Sequence, residues 1–172
     1  MSTRHTPAYL AGYPPALVQQ VTAAIEQGQL ADALRRRYAE AHTVRSDSAL
    51  YDYVQALKAE HMRSTPPLGK VRFDNTLHVI RNALGTHTAI SRVQGARLQA
   101  KREIHIATLF RNAPEAFLRM IVVHELAHLR VREHDKAFYQ LCLHMEPDYH
   151  QYEFDLRAYL SYRDAGGEAL WG

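Results

Sequence analysis

Apolar residues recur along the chain at two different periods, and the change of period divides it. After Pro14-Pro15, Leu17, Val18, Val21 and Ile25 fall at helical spacing, and Gly28 closes the run. Leu30 to Tyr38 predicts a second short helix. Ser48 is placed to cap a third, in which Leu50, Val54 and Leu57 recur at i, i+4 and i+7. The breaker Ser64-Thr65-Pro66-Pro67-Leu68-Gly69 then separates an N-terminal helical region, residues 1–66, from residues 67–172. The expectation is that both belong to one compact unit.

Past Gly69 the period shortens to two. Val71 and Phe73 alternate with charged residues, and Leu77 and Val79 alternate with Thr76 and His78. Ala89 to Val93 and Glu103 to Ile106 are short runs bounded by Gly85, Gly95 and Asn112. Together they predict a small, mostly antiparallel sheet. From Asn112 the helical period returns. Asn112-Ala113-Pro114-Glu115 has the capping pattern and opens a helix carrying Phe117, Leu118, Ile121, Val122 and Leu129. Asp135 caps another, with Phe138, Leu141, Cys142 and Met145 on one face. Asp148 with Gln151 opens a last helix that Gly166-Gly167 ends. The fold class is therefore α+β, a small antiparallel sheet packed on a helix with additional N-terminal and C-terminal helices.

Composition narrows the picture in two ways. Cys142 is the single cysteine of 172 residues, which excludes an internal disulfide and a cysteine-rich zinc module. No apolar run approaches the ~20 residues that span a bilayer, and the first residues lack a secretory pattern. A cytoplasmic protein with no membrane partner is expected. Net charge is +3, unevenly spread: +1 over residues 1–66, +6 over 67–112 and −4 over 113–172. The basic middle suits an anionic substrate, although a solvated strand face accounts for it as well.

The chemistry lies in Ile121-Val-Val-His-Glu-Leu-Ala-His-Leu-Arg-Val-Arg-Glu-His134. A helix repeats every ~3.6 residues, so His124 and His128 project from one face, one turn apart. That spacing lets two imidazoles share a tetrahedral cation, with Glu125 beside the first to take a proton from water. Chance gives about 0.04 matches to His-Glu-x-x-His in this composition, and a histidine six residues later cuts that to about 0.003. His134 occupies that place. Three histidines leave a fourth zinc position for water or substrate, the arrangement of catalytic sites; structural sites are closed by four protein ligands. Another divalent metal can occupy the same donors. Metzincin-type proteases with this spacing have a glycine three residues after the second histidine, where Val131 stands here. Glu133 or Asp135 is expected to help the chain turn, and Glu133 is the substitute third ligand. Tyr139 and Tyr149 are open to two readings, stabilising a developing oxyanion or packing their helices. The remaining histidines have no paired spacing and read as surface or satisfied side chains, with His87 and His105 closest to the site.

His124-Glu-Leu-Ala-His-Leu followed by His134-Asp-Lys-Ala-Phe-Tyr resembles the YgjP-like metallopeptidase-domain family, related to SprT-like and minigluzincin-type domains. The likeness extends through Leu84-Gly-Thr-His-Thr-Ala-Ile-Ser-Arg, Arg111-Asn-Ala-Pro-Glu-Ala-Phe and Met145-Glu-Pro-Asp-Tyr. It implies a zincin-like catalytic domain over 67–172, bound zinc, and the roles given above to His124, Glu125, His128 and His134. It also implies two substrate classes, since the family is named for peptidases yet includes a UTP pyrophosphatase that releases UMP and diphosphate. For a nucleotide, Arg92, Arg97, Lys101 and Arg111 are the candidate triphosphate ligands. For a peptide, an extended substrate adds to the sheet edge. A nucleic-acid-associated metalloprotease is a third reading, weaker because no aromatic-interleaved basic motif is present.

Overall fold

The structure, a computed structural model, describes residues 8–77 and 102–172. After a 3-10 turn at Ala8–Leu10, α1 (Pro15–Glu26) opens on its proline and α2 (Gln29–Arg37) follows at once. The reversal between them needs Gly28, whose φ of 69° is the left-handed conformation that a Cβ disfavours. Helix α3 (Asp47–His61) is capped by Ser46, whose hydroxyl accepts from the Ala49 N–H at 3.1 Å. The expected cap, Ser48, is already inside the helix. The shift has a tertiary cause: Asp47, now in the first turn, accepts the Phe73 N–H at 2.9 Å. That bond ties α3 to the sheet.

Strands β1 (Val71–Asp74) and β2 (Ile104–Ala107) pair in parallel, from Val71 opposite Ile104 to Asp74 opposite Ala107. The antiparallel expectation is corrected here. Antiparallel neighbours are joined by tight turns, whereas parallel ones need a crossover of a dozen residues or more, and residues 75–103 supply that length. The strand expected at Ala89 to Val93 lies outside the described residues, as does Val79.

Asp74 closes β1 in a polar knot. Its Oδ1 accepts the Thr76 N–H at 2.9 Å and the Thr76 hydroxyl at 2.6 Å; its Oδ2 meets His105 at 2.9 Å and Arg72 at 3.2 Å. The Thr76 hydroxyl, followed by His105, the Thr76 N–H and Arg72, holds this carboxyl well below the usual carboxylate range against the opposing effect of burial. A carboxyl depressed on folding stabilises above its unfolded pKa of ~3.9 and loses that contribution as pH falls towards the folded value. Asp74→Asn is therefore expected to lower the denaturation midpoint at pH 7. The gap to wild type should narrow progressively as the titration is repeated at pH values falling below ~3.9.

Beyond a 3-10 turn at Thr108–Asn112, three helices complete the fold: α4 (Glu115–Ala127), α5 (Lys136–Met145) and α6 (Tyr149–Asp164). The capping box expected at Asn112 does not form. Asn112 belongs to the 3-10 turn and accepts from Arg45 at 3.2 Å, while Pro114 takes the cap position with no side-chain bond. Asp135 does cap α5, accepting the Phe138 N–H at 2.9 Å. Asp148 stands at the start of α6, yet its ψ of 14° departs from the extended backbone a side-chain cap requires, and it makes no such bond. At the far end Gly166 (φ 96°) donates to the Arg163 carbonyl and Gly167 to the Tyr162 carbonyl, both at 3.0 Å, the paired closure that suits glycine.

Helix α4 is the centre of the molecule. Phe117, Leu118, Met120 to Val123, Leu126 and Ala127 are all buried, so no side of it is polar in the way a surface helix is. Phe117 meets Tyr38, Tyr159 and Trp171 at ring-centroid distances of 5.1, 6.4 and 5.6 Å, and the Trp171 indole donates to the Tyr38 carbonyl at 2.8 Å. One core thus contains Leu34, Leu50 and Val54 from before residue 67 together with the faces of α4, α5 and α6.

Candidate metal centre

The last turn of α4 delivers His124, buried, and His128, half-buried, to one side of the helix. Their Nε2 atoms are 3.2 Å apart, and His134 Nε2 lies 3.0 Å from that of His128. One nitrogen from each ring falls within a 4.8 Å group. Two nitrogens each ~2.0–2.1 Å from a tetrahedral ion sit about 3.3 Å apart, so this spacing suits a shared cation. The other nitrogens support that fit. His128 Nδ1 is 3.0 Å from the Val131 carbonyl, which only accepts, so the hydrogen of a neutral ring sits on Nδ1 and Nε2 turns a lone pair inward. His124 Nδ1 is 2.8 Å from the Tyr149 hydroxyl. Phe138 floors the cluster, its ring centroid 5.0, 4.5 and 5.0 Å from His124, His128 and His134.

The chain reaches His134 without a glycine. Leu129 N–H bonds the Leu126 carbonyl at 3.0 Å, Arg130 N–H and Val131 N–H both bond Ala127 at 3.1 and 2.9 Å, and no residue from Ala127 to Asp135 has a positive φ. The helix tightens to 3-10 bonding and unwinds, and Asp135 then starts α5 with His134 just ahead of its cap. Glu133, the substitute ligand, is exposed and outside the three-histidine group. Glu125 is half-buried and follows His124 directly, about 100° around the helix from it.

Of the basic residues expected to hold an anion, Arg92, Arg97 and Lys101 lie outside the described residues. Arg111 stacks its guanidinium 4.8 Å from the Phe73 ring centroid, before the first turn of α4. The histidines are at the other end of that helix, about 13 Å of rise away. His105 is engaged by Asp74 and by Glu103 at 3.1 Å, and His87 is outside the described residues. His42 is satisfied on both nitrogens, by the Val44 N–H and the Phe110 carbonyl. Two supports were not legible as such in the sequence: the Tyr149 hydroxyl behind His124 and the Val131 carbonyl behind His128. Phe138 carried a signal, one helical turn after His134, but read only as core. Burial pushes the Tyr149 phenol well above its ordinary value and the Cys142 thiol up to about 12, so both keep their hydrogens.

Three imidazole nitrogens converging at the end of a buried helix that also carries Glu125, in an α+β fold, are the equipment of a metal-dependent hydrolase, and comparison with known proteins puts the chain in that class. Residues 81–159 match the YgjP-like, metallopeptidase domain. The UTP pyrophosphatase of Escherichia coli (strain K12) is 58% identical over 158 residues, covering 92% of this chain and 95% of that protein. The chain belongs to the YgjP-like family. No solved structure matches it. Among the described residues no helix is long and apolar enough to cross a membrane.

Proposed function

We propose that the chain is a zinc-dependent UTP pyrophosphatase, with His124, His128 and His134 holding the ion and Glu125 as general base. The convergence of the imidazole nitrogens carries the metal reading. The identity to a UTP pyrophosphatase over nearly the whole chain favours the substrate. Bound zinc supplies Lewis-acid polarisation of a phosphoryl oxygen and lowers the pKa of water towards ~7. The chain's own residues do the rest. The Glu125 carboxylate takes a proton from the water that attacks the α-phosphorus as the bond to the bridging oxygen breaks, giving UMP and diphosphate. The Val131 carbonyl fixes the His128 ring so that Nε2 stays inward. The basic stretch 67–112, with Arg92, Arg97 and Lys101, is assigned to the triphosphate, and Arg111, held on Phe73 at the far end of α4, is left out of it.

The metallopeptidase domain match favours a second reading, peptide hydrolysis by the same groups. The zinc-loaded chain incubated in parallel with UTP and with casein separates the two. UMP and diphosphate are expected in equal amounts, lost on chelation and restored by zinc. Casein cleavage without UMP would transfer the assignment to peptides, and the lack of stoichiometric metal would sink both.

A further inference from the structure

The three histidines are not held alike. His124 and His128 stand at the end of α4, a helix of 13 residues buried along most of its length, so helical backbone and burial together fix them. His134 has no such setting. Arg132, Glu133, Asp135, Lys136 and Ala137 around it are all exposed, so burial does little to fix the backbone that carries it. Upstream, the segment is anchored at Val131, whose N–H bonds the Ala127 carbonyl at 2.9 Å and whose carbonyl faces His128 Nδ1 at 3.0 Å. That anchor serves the second histidine, not the third.

Downstream stands Asp135, directly after His134. Its backbone is extended, with φ −100° and ψ −173°; its Oδ1 accepts the Phe138 N–H at 2.9 Å and its carbonyl accepts the Tyr139 N–H at 3.1 Å. That is the geometry of a helix cap, but here the cap reaches further than the start of α5. The N–H it takes belongs to Phe138, which is fully buried and whose ring lies 4.5 Å from the His128 ring and 5.0 Å from those of His124 and His134. The phenyl ring is thus the buried reference of the cluster, and the Asp135 side chain ties to it the exposed backbone that carries His134. Without that bond the dihedrals at Asp135 lose what selects them, and the imidazole one residue away moves with them. A carboxylate placed here only to balance a cation's charge has no need of the Phe138 N–H. Asparagine separates the two roles, because it keeps a capping oxygen and drops the charge.

We propose that Asp135 is a positioning residue of the metal centre, whose cap on Phe138 sets His134 in place as the third donor. The proposal rests on the metal-centre reading, and the test distinguishes the two. Asp135→Ala removes the cap, and Asp135→Asn keeps it. Ser46→Ala removes the equivalent cap from α3, a helix that carries no histidine of the group. Zinc titration against a chromophoric chelator is expected to give a Kd raised about 10- to 100-fold in Asp135→Ala, the usual effect of losing a residue that orients a ligand. Asp135→Asn and Ser46→Ala are expected to stay near wild type. With cobalt(II) in place of zinc, the visible absorption of a tetrahedral site is expected to weaken in Asp135→Ala alone. In metal-free protein the Phe138 amide hydrogen should exchange faster in Asp135→Ala than in wild type. An unchanged Kd or an unchanged exchange rate in Asp135→Ala would overturn the positioning role and leave the metal centre standing. An equal loss of affinity in Asp135→Asn would overturn it in favour of charge, and an equal loss in Ser46→Ala in favour of general loosening. Wild type that binds neither ion would overturn the metal centre, and this role with it.

Discussion

Glu125→Gln is expected to retain one zinc per chain while UMP release falls by about 10³-fold or more, near the upper part of the range for loss of a general base. The amide has almost the size of the carboxylate, so the half-buried side chain can be replaced without a change of volume. The converging donors are histidine nitrogens only, so the substitution takes nothing from them. What disappears is a group able to accept a proton as the water attacks. The loss should fall on kcat with KM little changed, the pattern of an interaction made only in the transition state. Metal analysis and steady-state kinetics on the same preparation decide it. Loss of zinc in the variant would mean that Glu125 helps to hold the ion, and an unchanged kcat would remove it from the mechanism.

Phe117→Ala is expected to destabilise the protein by about 3–5 kcal/mol, the cost of emptying a fully buried aromatic site. For a chain of this size each kcal/mol shifts Tm by roughly 2–4 °C, so the loss should approach about 10 °C or more. Phe117 is chosen because it touches Tyr38 from the N-terminal helices, Tyr159 of α6 and Trp171 near the C-terminal end at once. We propose that residues 1–66 and 67–172 unfold as one cooperative unit through this junction. Trp171 is the single tryptophan, so its fluorescence reports the junction while circular dichroism reports the helices. Coincident denaturation curves that move together in the variant are expected. Two separable transitions, only one of them shifted, would divide the chain at the Pro66-Pro67 breaker instead.

The part of the site that a local rule governs was legible from sequence. His124 and His128 sit one helical turn apart, and the period that builds α4 also aims both side chains. The place of His134 followed from spacing, but not the route to it, because a helix can unwind through 3-10 bonding as readily as through glycine. Tyr149 lies beyond any local rule: its hydroxyl comes from 25 residues away and depends on how α6 packs on α4. The cap of α3 was missed by two residues for a similar reason. Ser46, Asp47 and Ser48 are all capable caps, and the Phe73 N–H from a strand decided which of them joined the helix. Strand direction was hidden because apolar alternation reads the same in parallel and antiparallel pairs.

The donor set has one consequence that reaches beyond holding a metal. Imidazoles are uncharged, unlike the carboxylate that completes some zinc sites, so nothing in the three-histidine group cancels a divalent ion's double charge. The floor under it is a phenyl ring, which adds no opposing charge and no water of its own. A centre of that kind attracts a polyanion over distance far more strongly than it attracts a neutral amide. The attraction does not end with bond cleavage. In the proposed reaction diphosphate would leave with much of the substrate's negative charge, so the field that draws a nucleotide in would also hold that product back.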